Sequence, residues 1–128
     1  MPDRPFPIDF STLEVDPKPH TWLVLPDGFT STAEPDAVSP VFDDTPEALM
    51  ERFLTTALSE PRSVCVRRED LQAELCQTSL IFRFPDYITI EAMAHNEGSA
   101  LAIYSRSMKG YSDLGVNRKR ITRWLENL

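Results

Sequence analysis

Nine of the 11 prolines fall within the first 46 residues, at positions 2, 5, 7, 17, 19, 26, 35, 40 and 46. Each removes a backbone donor and locks φ, so regular helix is excluded over most of this region. Residues 1–36 therefore read as an extended N-terminal wrap, and residues 37–128 as a single α+β domain. Within the wrap, Thr21 to Leu25 reads as a short strand ended by Pro26, Asp27 and Gly28, with Trp22 as its anchor. Residues 30–35 read as a mobile loop. Val38 to Phe42 suggests another short strand, which Pro40 would confine to a sheet edge.

Beyond the wrap, hydrophobic periodicity takes over. Asp43 to Glu47 is a helix start, with a capping side chain, proline at the first position and acids in the first turn. Leu49, Met50, Phe53, Leu54, Ala57 and Leu58 then form one stripe at helical spacing, which predicts an amphipathic helix over Thr45 to Leu58. After Pro61 the period switches to two. Val64 and Val66 alternate with Cys65 and Arg67, and Leu71, Ala73 and Leu75 alternate with Gln72, Glu74 and Cys76, a hairpin with one wet face. On that register the two cysteines share the face opposite the aliphatic residues.

Ser79 to Phe84 is an apolar break closed by Pro85 and Asp86. Tyr87, Thr89 and Glu91 alternate with Ile88, Ile90 and Ala92 up to a turn at His95 to Gly98, and Ala100 to Tyr104 forms the last strand. Ile121, Trp124, Leu125 and Leu128 lie at i, i+3, i+4 and i+7, the spacing of a closing helix. The order β-α-β-β-β-β-α predicts a two-layer α+β sandwich: an antiparallel sheet of four or more strands with two helices. That order resembles TATA-binding-protein-like folds and, more loosely, helix-grip folds, a likeness of topology that licenses no function.

At 128 residues the chain can bury a core without metals or disulfides. No apolar run approaches the ~20 residues needed to span a bilayer. Cys65 and Cys76 form neither a C-x-x-C nor a Cys/His cluster, so no zinc site is expected; free thiols are the default, with the spacing leaving a disulfide open. The net charge of −7 is uneven: residues 1–60 carry 12 acids and three Lys or Arg, and residues 61–128 carry eight acids and ten bases. An acidic chain without an interleaved aromatic platform argues against nucleic acid.

The stretch joining the last strand to the closing helix is the densest in Gly, Ser, Asp, Asn and Arg. Gly110 and Gly115 can take positive φ, and Ser112, Asp113 and Asn117 are turn and cap formers. Asn117 is the expected N-cap, with Asp113 as the alternative. Arg118, Lys119 and Arg120 would then occupy the first turn, which the helix dipole disfavours. Either an anion binds there, or Asp113, Asp86 or a backbone carbonyl satisfies the arginines internally. Internal satisfaction is the commoner outcome. The candidate ligand- or partner-binding set is Arg106, Tyr111, Ser112, Asp113, Asn117, Arg118, Arg120 and Asp86.

No nucleophile elbow, P-loop, metalloprotease or dinucleotide motif is present. His95 in a turn and His20 in the wrap read as loop residues rather than catalytic bases. The leading reading is a non-catalytic module whose Tyr111–Arg120 loop, backed by Arg106 and Asp86, binds a small anion or a protein partner, with no catalytic residue, cofactor or metal. The rival is a small hydrolase-like or isomerase-like enzyme using Asp113 or Asp86 as acid or base.

The run from Gly110 through Tyr111, Ser112, Asp113, Leu114, Gly115, Val116, Asn117, Arg118 and Lys119 to Arg120 resembles the domain-of-unknown-function family 1499 of bacteria and plastids. So do the ending from Ile121 to Leu128, the lead-in Ser105-Arg106-Ser107 and the turn Phe84-Pro85-Asp86-Tyr87, so the resemblance covers roughly residue 40 to the end. The family pattern often has arginines before Ser105 and after Ser107, where this chain has Tyr104 and Met108. The resemblance supplies no activity. Many relatives carry an N-terminal anchor or targeting segment. The chain as given reads as soluble and cytoplasmic, with a periplasmic or membrane-anchored form as the alternative if its N-terminus has been trimmed.

Overall fold

Thr45 opens the first helix by accepting a hydrogen bond on its hydroxyl from the Ala48 amide at 3.1 Å, with Pro46 in the first turn. The computed structural model describes residues 4–81, 83–108 and 113–128. In these the chain runs β1 (Thr21–Leu25), β2 (Ala37–Val38), α1 (Pro46–Leu58), β3 (Ser63–Glu69), β4 (Gln72–Thr78), β5 (Pro85–His95), β6 (Gly98–Ser107) and α2 (Val116–Glu126). The six strands form one sheet in the order β2-β1-β6-β5-β4-β3. All pairings are antiparallel except β1 with β2, so the sheet is mixed at that edge. The fold is α+β, a sheet with two helices, as the periodicity predicts. No helix among the described residues is long and apolar enough to cross a membrane.

Both helices pack on one face. Leu49 and Phe53 of α1 and Ile121 and Trp124 of α2 meet Leu75, Ile88 and Ile103 of the sheet, all 0–1% exposed. The Phe53 and Trp124 rings are edge-to-face with centroids 5.7 Å apart, a contact worth about 0.5–1.5 kcal/mol beyond the area it buries.

The other face is not wet, contrary to the alternation in the hairpin. A second apolar cluster of Ile8, Phe10, Leu23, Leu25, Ala102 and Tyr104 covers part of it. Gln72 and Glu74, on the face expected to meet solvent, are 5% and 0% exposed. The physical reason is the proline-rich N-terminus, which cannot be helical and instead lies across β4. The Gln72 carboxamide imitates a strand edge, accepting from the Ile8 amide at 2.5 Å and donating to the Ile8 carbonyl at 2.9 Å.

The edge strand β3 also departs from expectation. Val64 and Val66 are 58% and 43% exposed. Val64 pairs with Cys76 and Cys65 with Leu75, so the two cysteines point to opposite faces rather than sharing one, and both are free thiols. The predicted strand over Val38 to Phe42 is only Ala37–Val38, followed by an isolated bridge from Phe42 to Ser99.

Candidate functional site

The turn into α2 is built by a carboxylate. Leu114 and Gly115 both have left-handed backbone conformations, with φ of 54° and 83°. This curls the chain so that Asp113 faces the helix start. Its Oδ1 accepts from the Gly115 amide at 2.8 Å and its Oδ2 from the Asn117 amide at 3.0 Å. The N-cap position is therefore Gly115 rather than either expected residue: Asp113, the alternative, lies two residues earlier and accepts from the amides, while Asn117 lies inside the helix, fully buried. Partial burial pulls the Asp113 pKa up, but the Asn117 side chain and the two amides outweigh it, leaving the pKa below the ordinary carboxylate value.

Asn117 is a hub. Its Oδ1 accepts from the Ser105 hydroxyl at 2.6 Å and from Arg120 Nη1 at 2.7 Å. Its Nδ2 lies 2.7 to 3.0 Å from Asp113 Oδ2, Ser107 Oγ and the His20 carbonyl. Arg120 completes the network: Nη2 donates to Asp86 Oδ2 at 2.6 Å and Nε to Gln77 Oε1 at 2.7 Å. Arg120 is 4% exposed and Asp86 7%, so this is a buried ion pair closed by hydrogen bonds.

Arg106 is one residue from Ser105 and therefore points through the opposite face. There Glu74, fully buried, meets three guanidinium groups: Arg4 Nε at 2.9 Å, Arg67 Nε at 2.8 Å and Arg106 Nη2 at 3.4 Å. Arg106 Nη1 also donates to Thr89 Oγ1 at 2.8 Å and the Tyr104 carbonyl at 3.0 Å. The Arg4 guanidinium stacks on Tyr87 at 3.5 Å. Burial pulls Glu74 up, but Arg4 and Arg67 outweigh it and its pKa is lowered. Arg106 moves the other way: burial lowers its pKa despite the attraction of Tyr104 and Glu74. Among the described residues, this cluster sets one carboxylate against three guanidinium groups.

A cleft of about 460 Å³ opens over this cluster. Arg4, Arg106 and His20 provide polar walls, and Ile8, Leu13 and Tyr104 apolar ones. Glu14, Asp16 and Lys18 also line it, and Asp16 Oδ2 lies 3.0 Å from His20 Nε2. The volume lies within the range typical of small-molecule sites. No group of three or more His, Cys, Asp or Glu placed to hold a metal occurs among the described residues.

The model of the family described as protein of unknown function (DUF1499) matches residues 7–128. The chain belongs to that family. No curated protein and no solved structure matches it.

In this DUF1499 chain the residues singled out by sequence separate into three places. Asp86, Asp113, Asn117 and Arg120 form one network on the helix side. Arg106 does not back that network, because alternation along β6 sends it to the wrap side with Glu74. Arg118 is exposed and lies over Trp22 at 5.3 Å, beside a second cleft that Asp113 also lines. Tyr111 and Ser112 lie outside the described residues. Sequence reasoning missed Glu74, Arg4, Arg67 and Tyr104. The available signal was a glutamate in mid-strand opposite a wrap that had to cover something.

Proposed function

We propose that this DUF1499 chain is a non-catalytic binding module for a small anion with an apolar body, held in the cleft between the N-terminal wrap and the end of β6. The single observation that carries this is the charge imbalance beneath the cleft. Among the described residues Glu74 is the carboxylate that Arg4, Arg67 and Arg106 share, and the Arg106 guanidinium is buried beside it. An anionic head seated against Arg106 and Arg4 supplies the missing charge through charge-assisted hydrogen bonds. Its body packs on Ile8, Leu13 and Tyr104. Ser107 and Met108 at the end of β6 line the same cleft.

Binding is favoured over chemistry because the two carboxylates an enzyme would need are occupied. Asp86 is held by Arg120, and Asp113 by the amides at the start of α2 and by Asn117. The experiment is calorimetric titration with octanoate, phenyl phosphate and inorganic phosphate. Octanoate or phenyl phosphate should bind the wild type, and Arg106→Gln and the half-buried Arg4→Gln should each weaken binding at least ~10-fold, equivalent to about 1.4 kcal/mol. No heat from either amphipathic anion, or equal affinity in folded Arg4→Gln, would overturn the assignment.

A further inference from the structure

The register of the sheet gathers unlike groups at its two ends. Ser63 pairs with Gln77, Thr78 with Pro85, and Asp86 with Ser107, so residues 62, 79–81, 83–84 and 108 lie at one end, as do residues 113–115, where the Asp113 amide donates to the Pro19 carbonyl just before β1. That end carries large apolar side chains facing solvent: Leu80 is 63% exposed, Ile81 80%, Phe84 43% and Leu114 85%. Arg62, Arg83, Arg118 and Lys119 are carried by the same turns and helix start, all exposed. The acids of those turns are already committed: Glu60 to Arg123, Asp86 to Arg120, and Asp113 to helix amides. The opposite end is acidic, with Asp27, Asp43, Glu69, Asp70 and Glu97 in the corresponding turns.

From this polarity we propose that the protein docks by this end onto a bilayer surface bearing anionic headgroups. Leu80 and Ile81 in one turn and Leu114 in another dip into the interface, and Arg62, Arg83 and Lys119 meet phosphates. Protruding aliphatic tips ringed by cations match the two-part attraction of peripheral membrane proteins, apolar insertion plus electrostatics. Leu80, Ile81, Leu114, Arg62, Arg83 and Lys119 line neither cleft described above, and Arg118 lines only the second, so the surface is separate from the proposed anion site. With a net charge of −7 the whole chain is repelled by an anionic surface. Only an approach with this end leading is attractive, so binding is oriented.

The test is co-sedimentation of the full chain with vesicles of phosphatidylcholine alone and with about one-third phosphatidylglycerol. Wild type should pellet with the anionic vesicles, far less with the neutral ones, and be released by salt. Ile81→Asp and Arg83→Glu, both at exposed positions, should each reduce the vesicle-bound fraction at least ~10-fold, whereas Glu69→Gln at the far end should leave it unchanged. Absence of sedimentation with anionic vesicles overturns the proposal, as does unaltered binding in Ile81→Asp. Self-association abolished by Ile81→Asp without any vesicle binding also overturns it, assigning the end to a second copy instead. Retained octanoate binding in the same variants separates failure here from failure of the cleft.

Discussion

Asn117 ties four parts of the chain together through one carboxamide: β6 through Ser105 and Ser107, the wrap through the His20 carbonyl, the connection through Asp113, and α2 through Arg120. Removing it leaves several buried donors and acceptors without partners, each costing about 1–3 kcal/mol. Asn117→Ala should therefore lose about 2–4 kcal/mol in urea denaturation; a loss below ~0.5 kcal/mol would show that water replaces the amide without penalty. A second residue-scale prediction concerns acid. The Arg123 guanidinium fork holds Glu60 down to about 2 from 4.5, with Gln77 adding a donor. A folded-state pKa below the unfolded one contributes stability above the unfolded pKa, which is lost as pH falls through the folded pKa. Glu60→Gln should be less stable than wild type at neutral pH by about 1 kcal/mol or less, since Arg123 is 46% exposed and screened. That gap should close between pH 4.5 and about 2 in thermal melts, and a gap constant with pH would be the contrary result.

The closing helix shows how an element can be predicted correctly and its buried face incompletely. Ile121, Trp124, Leu125 and Leu128 have the expected spacing, yet the residues that are fully buried are Asn117, Arg120, Ile121 and Trp124. The stripe extends one turn earlier, through polar residues that hydrophobic periodicity cannot see. Trp124→Ala should cost about 3–5 kcal/mol in a denaturant melt, because it empties the contact with Phe53 in a packed core. A melt indistinguishable from wild type would mean α2 is not docked by its aromatic face. The other anchor is ionic. Arg120→Met alone should cost about 3–5 kcal/mol by leaving Asp86 buried and unpaired, and adding Asp86→Leu should restore part of that loss. If the double variant is no better than the single, the pair is not an isolated charge couple and Gln77 or Ser105 carries more of it.

For the whole molecule, the N-terminal segment is a second layer of the core. Phe10 is 2% exposed and packs with Leu23, Leu25, Ala102 and Tyr104 on the sheet face away from the helices. Phe10→Ala should lower the unfolding free energy by about 3–5 kcal/mol and also weaken the cleft, because Ile8 and Arg4 sit on the same segment. Unchanged stability with unchanged octanoate binding would show that the segment merely drapes over the sheet.

The helix spanning Pro46–Leu58, the four long strands and the last helix were legible because each repeats apolar residues at its own period. The turn at Asn96 was legible for a related reason: it bridges His95 and Gly98 with φ of 54°, a conformation that asparagine tolerates. Which face of β4 meets water was not legible, because alternation marks the two faces of a strand but not what covers them. Only tertiary structure laid the proline-rich segment over Glu74 and so made a solvent-facing acid into the centre of three arginines. Likewise, the sequence by itself determined that cations crowd the start of the last helix and need acceptors. Folding assigned Arg120 to Asp86, stacked Arg118 on Trp22 and sent Arg106 through the sheet, since partners distant along the chain are chosen by strand register and by nothing local.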